Sequence, residues 1–237
     1  IEYLSAVLKE KGHLTQLIYD PLLFDDYYVS HKFLSRFFSF HKRVIKEILN
    51  SKADLIAFSV NTGEYKWAIQ IASIIKNKLT TPIVFGGHHP TCLPEEVIKE
   101  GPVDFVIQGE GEYPLFELVE NLEGKRNKEN VSNLYYKQGS RIYKNELHQL
   151  IEDLDDLPFP DKELFYQKMN YLSKTYTIMT SRGCPYRCSY CHNYYLKELY
   201  DGKGKYIRKR SVSNVIRELK EAKEKYKIKG TMFQDEI

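Results

Sequence analysis

Residues Thr175–His192 read TYTIMTSRGCPYRCSYCH. The opening run, Thr175–Thr180, has the β-branched and aromatic character of a strand. It runs into a loop carrying Cys184, Cys188 and Cys191 at a C-x3-C-x2-C spacing. Three thiolates this close in sequence can fold around one soft metal centre, because thiolate prefers iron–sulfur clusters, zinc or copper(I). Iron–sulfur clusters are usually held by four thiolates. A three-cysteine loop therefore leaves one iron without a protein ligand, open to a substrate or cofactor. A Cys3His zinc site completed by His192 is the competing reading, although zinc motifs more often come as two separated pairs and Cys92 lies far upstream. Four cysteines, three of them clustered, do not make a secreted disulfide framework.

With Tyr190 directly before the last cysteine, the loop resembles the radical S-adenosylmethionine (radical SAM) superfamily, whose hallmark is C-x3-C-x-aromatic-C. The resemblance implies a [4Fe–4S] cluster on Cys184, Cys188 and Cys191, with the open iron chelated by S-adenosylmethionine. It implies reductive cleavage to a 5′-deoxyadenosyl radical, with electrons from a reductant such as flavodoxin or ferredoxin. Tyr190 would lie against the adenine. Asp235 and Glu236, after the next strand, would face the cofactor's amino group, since a carboxylate accepts hydrogen bonds from an ammonium. Gly183 permits a sharp exit from the strand and Pro185 stiffens the loop. Arg182 and Arg187 either put positive charge beside an anionic site or are surface residues, and His192 and Asn193 either approach the cofactor or shape the loop.

The totals fit this reading. With 237 residues, 42% of them apolar and 28% charged, the chain suits a soluble protein of one large or two modest domains. A net charge of +3 calls for no nucleic-acid or anionic-membrane partner. There is no apolar run long enough to span a membrane and no signal peptide. Unpaired thiols and an oxygen-sensitive cluster suit a reducing cytoplasm. The chain opens on Ile1 and stops at Ile237 in mid-pattern, so a fragment is expected, with the second domain incomplete.

Upstream, strands and helices alternate. A helix over Ile1–Lys11 closes at Gly12, followed by a strand at Leu14–Tyr19 and a break at Asp20-Pro21. Phe24–His41 reads as a loop entering a helix over Phe37–Leu49. Asp54–Val60 is an apolar run of the kind buried on both faces of a sheet. A helix with Trp67, Ile71, Ile74 and Ile75 on one face follows. Next come a strand at Pro82–Phe85, a short helix at Pro94–Glu100, a strand at Asp104–Gln108 and a helix at Pro114–Leu122. Leu134–Tyr136 and Arg141–Tyr143 form a hairpin. The expected class is α/β, with a Rossmann-like, doubly wound parallel sheet over 1–150 whose first strand precedes Ile1. A Pro-containing acidic linker occupies 151–170. The start of a partial TIM-type (β/α) barrel over 171–237 has strands at Thr175–Thr180 and Thr231–Phe233 and a helix at Val212–Tyr226.

Ligands of open α/β sheets bind beyond the carboxyl ends of the strands. Small residues stand at two such ends, Ser59-Val-Asn-Thr-Gly63 and Gly86-Gly87. Their order before a radical SAM loop resembles the cobalamin-binding subgroup of that superfamily. The resemblance implies that Ser59, Thr62, Gly86, Gly87 and His88 line the slot for the nucleotide tail of cobalamin. The D-x-H-x-x-G loop of many cobalamin domains would fall before Ile1, and many members of the subgroup lack it. A bare Rossmann-like scaffold with a tight glycine turn is the plainer reading. Cys92 reads as inert, His88 and His89 as loop histidines rather than ligands, and the glutamates of Gly109–Glu112 as caps of the next helix.

The function these residues imply is a cobalamin-dependent radical SAM enzyme acting on a small molecule, by methyl transfer or by cyclisation or rearrangement at an unactivated carbon. A cobalamin-independent radical enzyme, such as a methylthiotransferase, and a non-catalytic cobalamin or metal sensor are the alternatives. Methylthiotransferases add three upstream cysteines, and here Cys92 stands alone.

Overall fold

The structure is a computed structural model that describes residues 1–19, 40–169 and 174–236. It divides into two compact units, one of Ile1–Gln16, Glu112–Glu117 and Leu147–Ile237, the other of Leu17–Gly111 and Leu118–Glu146. By their contacts the first sixteen residues group with the cysteine-bearing part. The physical reason is a small core of Val7, Ile151, Leu154 and Leu157, against which Tyr3, Tyr113 and Phe116 pack. Apolar residues of the segment expected to be a linker supply most of that core, so its described part is packed rather than loose. The helix Glu2–Glu10 ends as Gly12 implies. Gly12 adopts φ +89°, its N–H reaches Lys9 O, and His13 N–H reaches Leu8 O. These are the two bonds of a Schellman cap.

In the cysteine-bearing unit, strand β6 (Thr175–Ile178) pairs in parallel with β9 (Gly230–Phe233). The helix Val212–Tyr226 makes the crossover. Ser211 caps this helix by accepting a hydrogen bond from Asn214 N at 3.1 Å, and Lys227 closes it in the left-handed conformation. Tyr176, Ile178 and Ala222 form the shared core. Beneath them Glu218, 1% exposed, pairs with Arg210 at 2.5 Å and accepts a hydrogen bond from Tyr176 at 2.6 Å. Burial and the adjacent carboxylate push the Tyr176 hydroxyl far above the ordinary tyrosine value.

The other unit is built on a five-stranded sheet ordered β1 (Ile56–Ser59), β2 (Ile83–Gly86), β3 (Phe105–Ile107), β4 (Leu134–Gln138), β5 (Arg141–Lys144). The first three strands are parallel and the hairpin β4–β5 adds on antiparallel. The α/β class with a parallel sheet is therefore as the alternation implies. Two expectations need correction. Leu14–Tyr19 forms no strand, and Leu14 is fully exposed; an apolar run becomes a strand only where a neighbour receives it. The helix Tyr65–Lys76 buries Ala68, Ile71, Ala72 and Ile75, with Trp67 packed against the same core, and leaves Ile74 exposed. Its small alanines allow closer seating on the sheet. Most of Phe24–His41 lies outside the described residues; the helix that follows spans Phe40–Ser51 and buries Val44 and Ile48.

Gly87 sets how the carboxyl ends of β1 and β2 meet. It adopts φ +97° and ψ −169°, a region open essentially to glycine alone. A Cβ there would stand 2.7 Å from Val60 N and 2.9 Å from Val60 O. At Gly86 a Cβ would only touch Ile107 O at 3.8 Å. Gly87→Ala is expected to cost about 3 kcal/mol in urea denaturation, and Gly86→Ala far less.

Candidate cofactor sites

The cysteine loop is rooted by short-range geometry. After β6, the two-residue strand β7 (Ser181–Arg182) pairs antiparallel with β8 (Arg208–Lys209), and Arg210 N donates to Thr180 O at 2.9 Å. Gly183 then turns at φ +84°, where any Cβ would fall onto the carbonyl oxygen of Tyr206. This is why glycine precedes Cys184. The chain turns again between Cys188 O and Cys191 N, at 3.0 Å, and Cys191 is the N-cap of the helix His192–Leu199. Arg187 and Tyr190 are exposed, Tyr190 by 91%.

All three cysteines are free thiols; Cys188 is exposed, and Cys184 and Cys191 are partly so. Among the described residues, no group of three or more His, Cys, Asp or Glu side chains is arranged to hold a metal ion. The donor chemistry nonetheless fits a soft, iron–sulfur type of centre, since three unoxidised sulfurs reach solvent on one short loop. Ligand loops of this kind commonly order when metal binds.

The strand after the crossover brings its acids to this loop. Asp235 Oδ1 accepts from Thr180 N and Ser181 N, both at 2.7 Å, and from Ser181 Oγ at 2.9 Å; Oδ2 accepts from Thr180 Oγ1 at 2.8 Å. Burial alone would raise its pKa, but these donors outweigh burial and hold the carboxyl below the usual range. Glu236 Oε2 accepts from Gly183 N at 3.0 Å.

Two interactions lie beyond what the sequence signals. Tyr206 donates to Asn193 O and Oδ1 at 3.1 and 2.8 Å. Burial, then Glu236, then the thiols of Cys184 and Cys191 push its hydroxyl upward, against the opposing pull of Arg208. Arg182 binds Glu112 at 2.6 Å, both largely buried, and lies 5.3 Å from the Tyr3 ring centre. Glu112 begins the helix Glu112–Leu122, so its negative charge sits in the first turn, and its carboxylate accepts from its own backbone N–H. The same carboxylate also pairs with Arg182, a second role beside the capping one expected for it. Nothing local in GEGE announces a partner seventy positions away.

At the carboxyl ends of β1–β3 the loops are stitched together. His88 Nδ1 meets Asn61 Oδ1 at 2.9 Å, and His89 Nδ1 meets Thr62 Oγ1 at 3.2 Å. His89 N donates to Val60 O, and Gly109 N donates to Thr91 Oγ1 at 3.0 Å. The His89 and Tyr65 rings lie 4.1 Å apart, and burial lowers the imidazole's basicity. Burial raises the Cys92 thiol, consistent with an inert side chain. Ser59, Thr62 and His88 are exposed on this shelf, where hydroxyl and imidazole groups suit a polar nucleotide tail. The bare face of Gly87 is filled by Val60 and Ser59, so its hydrogen serves chain packing rather than close ligand approach.

The comparisons agree with this arrangement. Residues 1–119 match the B12 binding domain and residues 178–236 match the radical SAM superfamily. The chain belongs to the cobalamin-binding-domain radical SAM family. It is 32% identical over 197 residues to the uncharacterized methyltransferase PH0819 of Pyrococcus horikoshii, a match covering 81% of this chain and 42% of that protein. It is 28% identical over 141 residues to the anaerobic magnesium-protoporphyrin IX monomethyl ester cyclase of Synechocystis, covering 58% of this chain and 28% of that one. Among solved structures it resembles the cobalamin-dependent S-adenosylmethionine radical enzyme OxsB with aqua-cobalamin and S-adenosylmethionine bound. That match has a TM-score of 0.66 and 26% identity, over 83% of this chain and 27% of that one. The chain thus spans less than half the length of each of these relatives. No helix among the described residues is long and apolar enough to cross a membrane.

The buried Glu112–Arg182 pair has a pH signature. Burial disfavours the Glu112 anion, but Arg182 outweighs it and holds the carboxyl below its ordinary 4.5. Its contribution is therefore full above pH 4.5 and is lost as pH falls through the lower folded value. Glu112→Gln is expected to cost about 3 kcal/mol at pH 7, since it leaves a buried guanidinium without its anion. The gap to wild type, read by urea denaturation, is expected to narrow as the pH drops below that ordinary value.

Proposed function

We propose that the protein is a cobalamin-dependent radical SAM enzyme that modifies an unactivated carbon of a small molecule, by methyl transfer or cyclisation. The observation that carries this reading is the pairing, on one chain, of a B12-binding domain with three free thiols rooted at the carboxyl end of β6. When bound, the [4Fe–4S] cluster and S-adenosylmethionine supply a 5′-deoxyadenosyl radical, and cobalamin supplies a methyl carrier or redox partner.

The chain's own residues would divide the work as follows. Cys184, Cys188 and Cys191 hold the cluster. Tyr190, exposed in this structure, would lie against the adenine. Glu236, with one carboxylate oxygen engaged by Gly183, offers its other oxygen to the amino group. Ser59, Thr62, Gly86 and His88 would form the cobalamin shelf, with Gly87 shaping it through the backbone of Val60 and Asn61 holding His88 in place. A flavodoxin- or ferredoxin-type reductant delivers the electron. The relatives named as a methyltransferase and a cyclase support methyl transfer or cyclisation as the reaction class.

Cys188→Ala in the full-length protein is expected to abolish both the cluster's absorbance and 5′-deoxyadenosine formation. Undiminished 5′-deoxyadenosine release by that variant would contradict the assignment.

A further inference from the structure

Four consecutive residues at the root of the cysteine loop are each gripped by a carboxylate. Thr180 and Ser181 are held by Asp235, Arg182 by Glu112 and Gly183 by Glu236. The three acids are not equivalent. An ionised carboxylate offers about four lone-pair sites, and Asp235 already receives four donors, two backbone amides and two hydroxyls. Adding an ammonium to it would require breaking bonds that order Thr180 and Ser181. Glu236 receives the Gly183 amide at one oxygen. Two adjacent acids that look interchangeable in sequence therefore have different occupancy.

The geometry points to Asp235 as a positioning residue that locks the strand-to-loop junction and so presents Cys184, rather than as a ligand of S-adenosylmethionine. This assignment rests on the radical SAM reading of the loop. Its physical logic is that of an outer partner to a metal ligand. The grip ends at Gly183, so the backbone entering Cys184 is fixed before metal arrives, whereas the stretch from Pro185 to Tyr190 is exposed. Removing outer partners of metal sites typically costs 10- to 100-fold in metal affinity or activity.

The test pairs Asp235→Asn with Thr180→Val, which removes a hydroxyl donor from the same grip without touching any acid. Three quantities are read in the full-length protein, reconstituted anaerobically. They are the rate of iron loss to a chelator, hydrogen exchange at the Thr180 and Ser181 amides, and the dissociation constant for S-adenosylmethionine from its perturbation of the reduced cluster's electron paramagnetic resonance signal. Both variants are expected to speed iron loss, Asp235→Asn by about tenfold, and to raise exchange at the two amides, with affinity for S-adenosylmethionine unchanged. The double variant is expected to be no worse than Asp235→Asn alone, because both act on one grip. Weakened S-adenosylmethionine binding in Asp235→Asn, with iron retention and amide protection intact, would overturn the inference and make Asp235 a ligand. If wild type takes up no iron, the functional reading fails. The exchange arm then still decides on the clamp, since unaltered protection in Asp235→Asn would overturn it.

Discussion

Parallel strand pairing is the constraint on which the cysteine-bearing unit depends. Because β6 and β9 run the same way, in register from Thr175 with Gly230 to Ile178 with Phe233, whatever follows one strand emerges beside whatever follows the other. The crossover helix Val212–Tyr226 makes that pairing reachable, and the Arg210–Glu218–Tyr176 network secures the helix beneath the strands. Asp235 and Glu236 thus arrive at the root of the cysteine loop by topology, with no sequence proximity required. A carboxylate then does what water cannot do in a turn: it satisfies the amides of Thr180 and Ser181 from a fixed direction.

The same rule acts in the other unit. The parallel strands β1, β2 and β3 deliver their following loops to one end of the sheet, where Asn61, Thr62, His88, His89, Thr91 and Gly109 hold one another. Side-chain-to-side-chain and side-chain-to-backbone bonds between loops replace the ladder where it stops. Gly87 is the steric condition for that junction, since its backbone lies against Val60. Polar groups remain exposed around a locked scaffold, which is how a large, polar cofactor tail can be met without rebuilding the fold.

The α/β class, the order of elements and the family were legible in the sequence because each rests on short-range signals. Apolar runs such as Asp54–Val60, glycine at Gly12 and Gly183, and the C-x3-C-x2-C spacing are all local. What escaped was long-range. Glu112 finds Arg182 across the chain, and Tyr206 lies by the cysteine loop from a lysine-rich stretch with no motif. Leu14–Tyr19 has strand composition but forms no strand, since pairing is decided elsewhere in the molecule. In Tyr65–Lys76 the apolar spacing did not separate the exposed Ile74 from Trp67, Ile71 and Ile75, which meet the core. Asp235 and Glu236 read as equivalent acids until their donors are counted.

The central claim is that one polypeptide carries both an iron–sulfur and a corrin site. The direct measurement is iron, sulfide, zinc and cobalt analysis with ultraviolet–visible spectra on full-length protein reconstituted anaerobically with iron and sulfide and offered hydroxocobalamin. About four irons per chain, a charge-transfer band and retained corrin absorbance are the result this account expects. Zinc in place of iron, or iron with no retained corrin, would contradict it.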